Sequence, residues 1–279
     1  MQTELEDNYF SSNCFSLNVK GIRDSSKRER VFTWCNDKKA DVVFLQETYS
    51  TVDVEDKWSS LWEGPCYFSH GSNHSKGVLI LINSHLDFQL QEVVKDTDGR
   101  YIIMQCSING RKVVLCNVYF PTRNKELEQI TFLEVLSREI NKITTKDSLI
   151  IMGGDFNMIR NFNLDYSGNR HYERHTRFNQ QMEEFMEQLN LIDIWRQKNP
   201  LQRQFSYRQN KPFMQSRLDY WIISSNLKTL TLKCEIIPSV APDHSAINLF
   251  LFNNRSDMKK KKASYWKFNN SLCNDSIYI

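Results

Sequence analysis

No apolar run in this sequence approaches the roughly 20 residues needed to span a bilayer, so nothing in it reads as membrane-inserted. Close cysteine pairs of the kind that hold a metal are missing too. Cys14, Cys35, Cys66, Cys106, Cys116, Cys234 and Cys273 are odd in number and widely scattered. They read as free thiols of a reducing compartment, several at apolar strand positions, which excludes a disulfide-built scaffold. Neither sign of charge dominates. A formal net charge of +3 over 279 residues is too small to announce nucleic-acid binding, so any basic surface must be local. The segment Met1–Phe10 is polar and acidic, unlike a signal peptide, and no internal repeat is visible. What remains is an ordinary globular composition, 40% hydrophobic and 25% charged, in a chain long enough for one large domain or two smaller ones. The expectation is an intracellular protein with no membrane partner.

The most informative stretch runs from Leu149 to Asn157. Four apolar residues, Leu149 to Met152, follow the turn-like Lys146-Asp147-Ser148 and predict a short strand buried on both faces. Gly153 and Gly154 then allow a sharp turn or the close approach of another group. Asp155 and Asn157, two residues apart, point to one side in extended geometry and suit a polar pocket. Val42-Val43-Phe44-Leu45 repeats the arrangement, running straight into Gln46-Glu47-Thr48. Taken alone, Glu47 reads as a surface turn residue.

Other segments fill in around these two. Cys14 to Val19 predicts a first strand with Asn18 near its end, and Asp24 or Ser25 caps a charged segment through Lys38. The runs Gly77–Ile82, Leu86–Val94, Tyr101–Ile108 and Lys112–Val118 are separated by Asn83-Ser84, Asp98-Gly99 and Asn109-Gly110. They read as consecutive antiparallel strands closing on Tyr119-Phe120-Pro121. Leu127, Ile130, Leu133, Leu136 and Ile140 recur at helical spacing, as do Phe178, Met182, Phe185, Met186 and Leu189, and both stripes read as core-facing. Gln204–Tyr207 and Leu218–Ile223 predict strands joined by an exposed tip, Arg208 to Phe213. Strands at Cys234–Ile237 and Ala246–Phe252 follow, the second preceded by Ala241-Pro242-Asp243-His244-Ser245. The irregular alternation of helices and hairpins predicts a four-layered α/β sandwich, two packed mixed sheets flanked by helices. It divides into a polar leader over 1–13, one domain over 14–252 and a basic linker over 253–279 that carries Lys259 to Lys262.

Polar residues thus recur at strand ends, within Ser16-Leu17-Asn18-Val19-Lys20-Gly21, Leu45-Gln46-Glu47-Thr48, Tyr119-Phe120-Pro121, Gly154-Asp155-Phe156-Asn157, Arg217-Leu218-Asp219-Tyr220 and Pro242-Asp243-His244-Ser245. In this order they resemble the endonuclease/exonuclease/phosphatase superfamily, and within it the apurinic-type endonuclease domain of non-LTR (LINE-type) retrotransposons. The resemblance covers Cys14 to Phe252. It implies a Mg²⁺-dependent enzyme, with Mn²⁺ able to substitute, that nicks duplex DNA to leave 3′-hydroxyl and 5′-phosphate ends and so primes reverse transcription. Glu47 would be the principal metal ligand, with Asn18 and Asp243 on the metal side. Asp155 would orient or deprotonate the water, Asn157 and Asn18 would hold water and phosphate, and Tyr119 would donate to a phosphate oxygen. His244 would contact the scissile phosphate, oriented by Asp219. Ser206 would lie near the phosphate, with Arg203, Arg208, Lys211 and Arg217 supplying charge to the DNA backbone.

Two departures stand out: Lys20 occupies the place of an acid, and Pro242 that of a serine, offering neither a hydroxyl nor an N–H. Tyr265-Trp266-Lys267-Phe268 resembles the start of the segment leading to a reverse transcriptase. The implied partners are duplex DNA, the element's own RNA and that reverse transcriptase, met in the nucleus. The competing readings are an abasic-site repair endonuclease, a phosphatase or sphingomyelinase relative, and a catalytically silent DNA-binding remnant.

Overall fold

The computed structural model describes residues 10–145, 148–168 and 176–253. Its first sheet contains β1 (Phe10–Asn18), β2 (Val42–Gln46), β3 (Cys66–Ser69), β4 (Val78–Ile82), β14 (Thr231–Ile237) and β15 (Ala246–Asn253), in the order β14-β15-β1-β2-β4-β3. The second contains β5 (Phe88–Lys95), β6 (Tyr101–Ile108), β7 (Arg111–Tyr119), β8 (Leu149–Asp155), β10 (Leu191–Asp193) and β13 (Asp219–Ser224), in the order β10-β13-β8-β7-β6-β5. A small third sheet orders β11 (Tyr207–Gln209), β12 (Met214–Ser216) and β9 (Tyr166–Gly168) as β11-β12-β9.

Both large sheets are mixed, and each has one parallel pair at its centre: β1 with β2, and β7 with β8. Parallel neighbours finish at the same edge of a sheet, so their C-terminal residues lie side by side. Asn18 is thus in register with Gln46, and Tyr119 with Asp155. The antiparallel β13 enters at that edge, with Asp219 opposite Asp155.

Apolar faces of the two sheets meet in a core where Phe44 and Trp221 lie 5.3 Å apart between ring centroids. Helices α1 (Ser25–Asp37) and α2 (Glu55–Ser59) cover the outer face of the first sheet through Val31, Phe32 and Trp58. On the second sheet, α3 (Glu126–Ile143) and α5 (Thr176–Gln188) pack Leu133, Leu136, Phe178 and Met182 against Phe120 and Phe156. Helix, sheet, sheet and helix make the expected four layers. Two short helices, α4 (Phe162–Asp165) and α6 (Ile194–Lys198), flank β9 and β10. Asp24 caps α1 by accepting from the Lys27 N–H.

Several expectations change. The first strand starts at Phe10, ahead of the expected Cys14, and pairs there with Asn253. The remaining leader residues 1–9, the linker residues 254–279 and the Lys146-Asp147 turn lie outside the described residues. The expected run of antiparallel strands is divided between the sheets. β4 pairs with β2 and β3, and Asn83-Ser84 leads across to the second sheet, where β5, β6 and β7 form the hairpins. Leu127, placed on the buried stripe of α3, is 70% exposed, and Phe132 takes a place in the core instead. Strand β13 pairs with β8, while the 204–218 region forms the β11–β12 hairpin around residues 210–213.

The glycines of the opening stretch serve close approach. Gly153 lies under the Trp221 ring, and Gly154, at φ +148°, lies against the Val118 carbonyl. A Cβ at either position would collide with these neighbours. Gly154→Ala adds a steric clash to a backbone conformation that L side chains resist. It should cost about 3 kcal/mol of stability in a denaturant titration, and a loss below ~1 kcal/mol would contradict this packing.

Candidate active site

Beneath the shared edge, the two sheets are tied by buried side-chain amides. The Gln46 Nε2 donates to the Ser16 Oγ at 3.0 Å and to the Asn117 Oδ1 at 2.7 Å. The Asn117 Nδ2 donates to the carbonyls of Leu45 and Leu79. Above them, one amide joins two carboxylates: the Asn18 Nδ2 donates to the Glu47 Oε1 at 2.8 Å and to the Asp155 Oδ2 at 2.9 Å. The Lys20 N–H donates to the Asn18 Oδ1 at 3.0 Å, which fixes the orientation of that amide. Asn18 is therefore a linker between the two carboxylates, and its oxygen, which accepts one N–H, keeps a second lone pair on the metal side of the cleft.

Left-handed backbone aims the neighbouring groups. Lys20, Glu47, Tyr49 and Asn157 all have positive φ, between 48° and 59°. Such conformations are uncommon outside glycine and are held here by the surrounding hydrogen bonds. The Tyr49 hydroxyl donates to the Glu47 Oε2 at 3.0 Å, a contact outside the motifs read from the sequence. The Asn157 N–H donates to the Asp155 Oδ1 at 2.9 Å, and its side chain donates to the Phe120 carbonyl.

On the other wall, His244 is buried, its Nδ1 3.0 Å from the Asp219 Oδ2 and its Nε2 3.9 Å from the Asp155 Oδ2. Burial opposes charge on the ring, but Asp219, by charge and hydrogen bond, and then Asp155 raise its pKa to about 9. Asp155 rises to about 7, mainly through burial and then through the Asp219 charge, against the pull of His244 and Asn18. Burial, followed by the charges of Glu47 and Asp155, drives the Tyr119 hydroxyl far above its usual range, so it remains a donor. Pro242 is exposed, and the loop is tied instead by Ser239, whose hydroxyl donates to the His244 carbonyl and accepts from the Ala241 N–H.

Asn18, Lys20, Glu47, Tyr119, Asp155, Asn157, Asp243 and His244 line one cleft of about 250 Å³, with Thr122, Arg123, Tyr207 and Ser216 around them. A divalent ion fits the Glu47 side. That carboxylate is half-buried, offers only oxygen, and accepts from neutral donors that leave lone pairs free. Asp155, Asp219 and His244 bring one ligand atom each within 4.8 Å of one another. With His244 charged and hydrogen-bonded to Asp219, that group reads as an acid–base set.

The DNA-contact expectations divide. Arg217 is buried between Asp165 and Asp193, with four N–H···O contacts of 2.8 to 3.1 Å, and its side chain is only 1% exposed. Its assignment to DNA is corrected: it is the buried centre of an ion-pair network in which Asp165 also meets Arg196 and Asp193 also meets Arg160. Ser206 is fully buried, its Oγ accepting from the N–H groups of Leu218 and Asp219 at 3.0 and 3.1 Å. It positions Asp219 rather than facing a phosphate. Arg203, Arg208 and Lys211 are exposed. Arg208 also braces the His244 loop through the Asp243 carbonyl and the Ser245 hydroxyl. Sequence reasoning missed Arg123, a cleft-lining cation two residues beyond Pro121.

The His244–Asp219 pair has a definite pH signature. A histidine pKa raised above its ordinary value stabilises the fold fully below about pH 6.5, and that contribution disappears as pH rises through about 9. In metal-free protein, titration of His244 followed by NMR should give a pKa near 9. Asp219→Asn keeps an acceptor for the Nδ1–H but removes the charge, and should lower that pKa by at least about one unit. A pKa near 6.5 in the wild type would contradict the pairing.

Residues 10–257 match the Endonuclease/Exonuclease/phosphatase family. Over 262 residues the chain is 30% identical to an uncharacterized 149 kDa protein of transposon TX1 from Xenopus laevis, the match covering 93% of this chain and 19% of that protein. The fold is similar to that of an AP endonuclease from Leishmania major, with a TM-score of 0.72 at 18% identity over 88% of each chain. It is also similar to an AP endonuclease from Archaeoglobus fulgidus, with a TM-score of 0.70 at 19% identity over 87% of this chain and 100% of that one. The match runs through every strand that brings a polar residue to the cleft. The chain thus belongs to the endonuclease/exonuclease/phosphatase family.

Proposed function

We propose that this cleft nicks duplex DNA in a Mg²⁺-dependent reaction that primes reverse transcription in a LINE-type retrotransposon. The observation that carries the chemistry is the Asp155 carboxylate, which is linked through Asn18 to Glu47 and faces a charged His244. The likeness to a transposon protein supports the biological setting, and the chain's 19% share of that protein is consistent with a parent that carries further domains.

In the reaction, Asp155 takes a proton from water, whose oxygen attacks phosphorus as the bond to the 3′ oxygen breaks. The departing oxygen is protonated to a 3′-hydroxyl, and the phosphate stays on the 5′ end. With a pKa near 7, Asp155 is suited to accept that proton at neutral pH. The charged His244 Nε2–H and the Tyr119 hydroxyl donate to phosphate oxygens as negative charge builds. Asp219 keeps the imidazole charged and oriented, and Asn157 holds Asp155 through its backbone N–H. A Mg²⁺ held by Glu47, with Mn²⁺ as a substitute, would neutralise the phosphate. The exposed Arg203, Arg208 and Lys211 are offered as contacts to the DNA backbone.

Purified protein should convert supercoiled plasmid to open circles with Mg²⁺ and lose this activity in EDTA. Asp155→Ala, Glu47→Ala and His244→Ala should each reduce nicking by about 10²–10⁴-fold while retaining cooperative melting. Normal nicking by Asp155→Ala would sink the mechanism. Preferential turnover of abasic DNA, phosphoinositide or sphingomyelin would move the assignment to that substrate.

A further inference from the structure

Lys20 is a cleft residue that the mechanism leaves without a role. Its ammonium lies 2.6 Å from the Asp243 Oδ2, at the mouth of the cleft that Glu47, Asp155 and His244 line. The lysine side chain is 56% exposed and the aspartate 16%. A pair this open contributes little to stability, and it leaves the Asp243 Oδ1 buried without a hydrogen-bond partner. As a structural clasp it is therefore poor. As a means of holding a positive charge over the cleft it is well made. Lys20 has left-handed backbone, its N–H is bonded to Asn18, and its carbonyl accepts from the Lys27 Nζ at 2.9 Å. The Asp243 carbonyl accepts from the Arg208 N–H, so the aspartate is also anchored through its backbone. Among the described residues Asp243 is the side-chain partner of the ammonium, which keeps further N–H donors for a ligand.

We propose that Lys20 is a built-in phosphate-binding cation, so that the site works with one divalent ion at Glu47 and with lysine, in place of any second ion, at Asp243. This rests on the reading of the cleft as a DNA-nicking site. An ammonium is a compact point charge whose N–H groups suit phosphate oxygens. It also repels a divalent ion from the Asp243 oxygens, and Asp243 accordingly anchors the lysine instead of serving the metal. Phosphate binding at this wall therefore persists without any metal, which separates this role from that of Glu47.

The test compares the wild type with Lys20→Met, Lys20→Arg and Lys20→Asp, using Lys142→Met on the surface of α3 as a charge control outside the cleft. Affinity for a short fluorescent duplex is measured in EDTA over a salt series, and bound Mn²⁺ is counted by electron paramagnetic resonance. Lys20→Met should bind about five- to tenfold more weakly, with a salt slope reduced by about one, while Lys20→Arg and Lys142→Met remain near the wild type. The wild type should hold one Mn²⁺ that Glu47→Ala removes, and Lys20→Asp should gain a second. Unchanged duplex affinity of Lys20→Met in EDTA, two Mn²⁺ ions in the wild-type cleft, or no gain in Lys20→Asp would each overturn the proposal. If any of these occurs while the wild type nicks with Mg²⁺, the nicking assignment stands and only the role of Lys20 falls. A wild type that does not nick overturns both.

Discussion

The site depends on one side-chain amide. The Asn18 Nδ2 donates to Glu47, at the end of a strand in the first sheet, and to Asp155, at the end of a strand in the second. Two carboxylates this close would repel each other in a buried setting, and the shared N–H donors turn that repulsion into a bridge. The bridge works because the amide cannot flip: the Lys20 N–H occupies its oxygen. Below it, the Gln46–Asn117 contacts tie the same two sheets, so the cleft floor is cross-linked at two levels. A sandwich joined only by apolar contacts would leave the relative height of Glu47 and Asp155 free to slide.

Topology supplies the rest. Each sheet has a single central parallel pair, and parallel strands are the arrangement that brings two C-terminal ends together. Four such ends, two from each sheet, meet the starts of β13 and β15 at one rim. The polar groups then divide by environment. Asp155 is buried beside Asp219 and so holds its proton toward neutrality, whereas His244 is surrounded by carboxylates and holds its charge. Pairs of titratable groups pushed apart in this way are what acid–base chemistry needs.

Much of this was legible in the sequence, because a strand buried on both faces is written as an unbroken apolar run and the first carboxylate after it marks the rim. Val42–Leu45 before Glu47 and Leu149–Met152 before Asp155 are such cases. Pairing was less legible. Val78–Ile82 looks like the first strand of a meander, but it is apolar at every position because it lies inside the first sheet between β2 and β3. The third sheet, made of three-residue strands, is too short to show alternation. Arg217 looked like one more surface cation near Arg203 and Arg208. Its partners Asp165 and Asp193 lie 52 and 24 residues away, so nothing local could announce its burial. Ser206 likewise gave no local sign that its hydroxyl would be spent on the backbone of Asp219.

The central claim is that Asn18 couples the metal-side carboxylate to the water-side carboxylate, and the most direct measurement is the single-turnover nicking rate of Asn18→Leu with saturating Mg²⁺. Leucine is close to asparagine in shape but cannot donate to either carboxylate. The account predicts a fall of about 10²-fold or more in a variant that still melts cooperatively. A rate within a few-fold of the wild type in such a folded variant would contradict it.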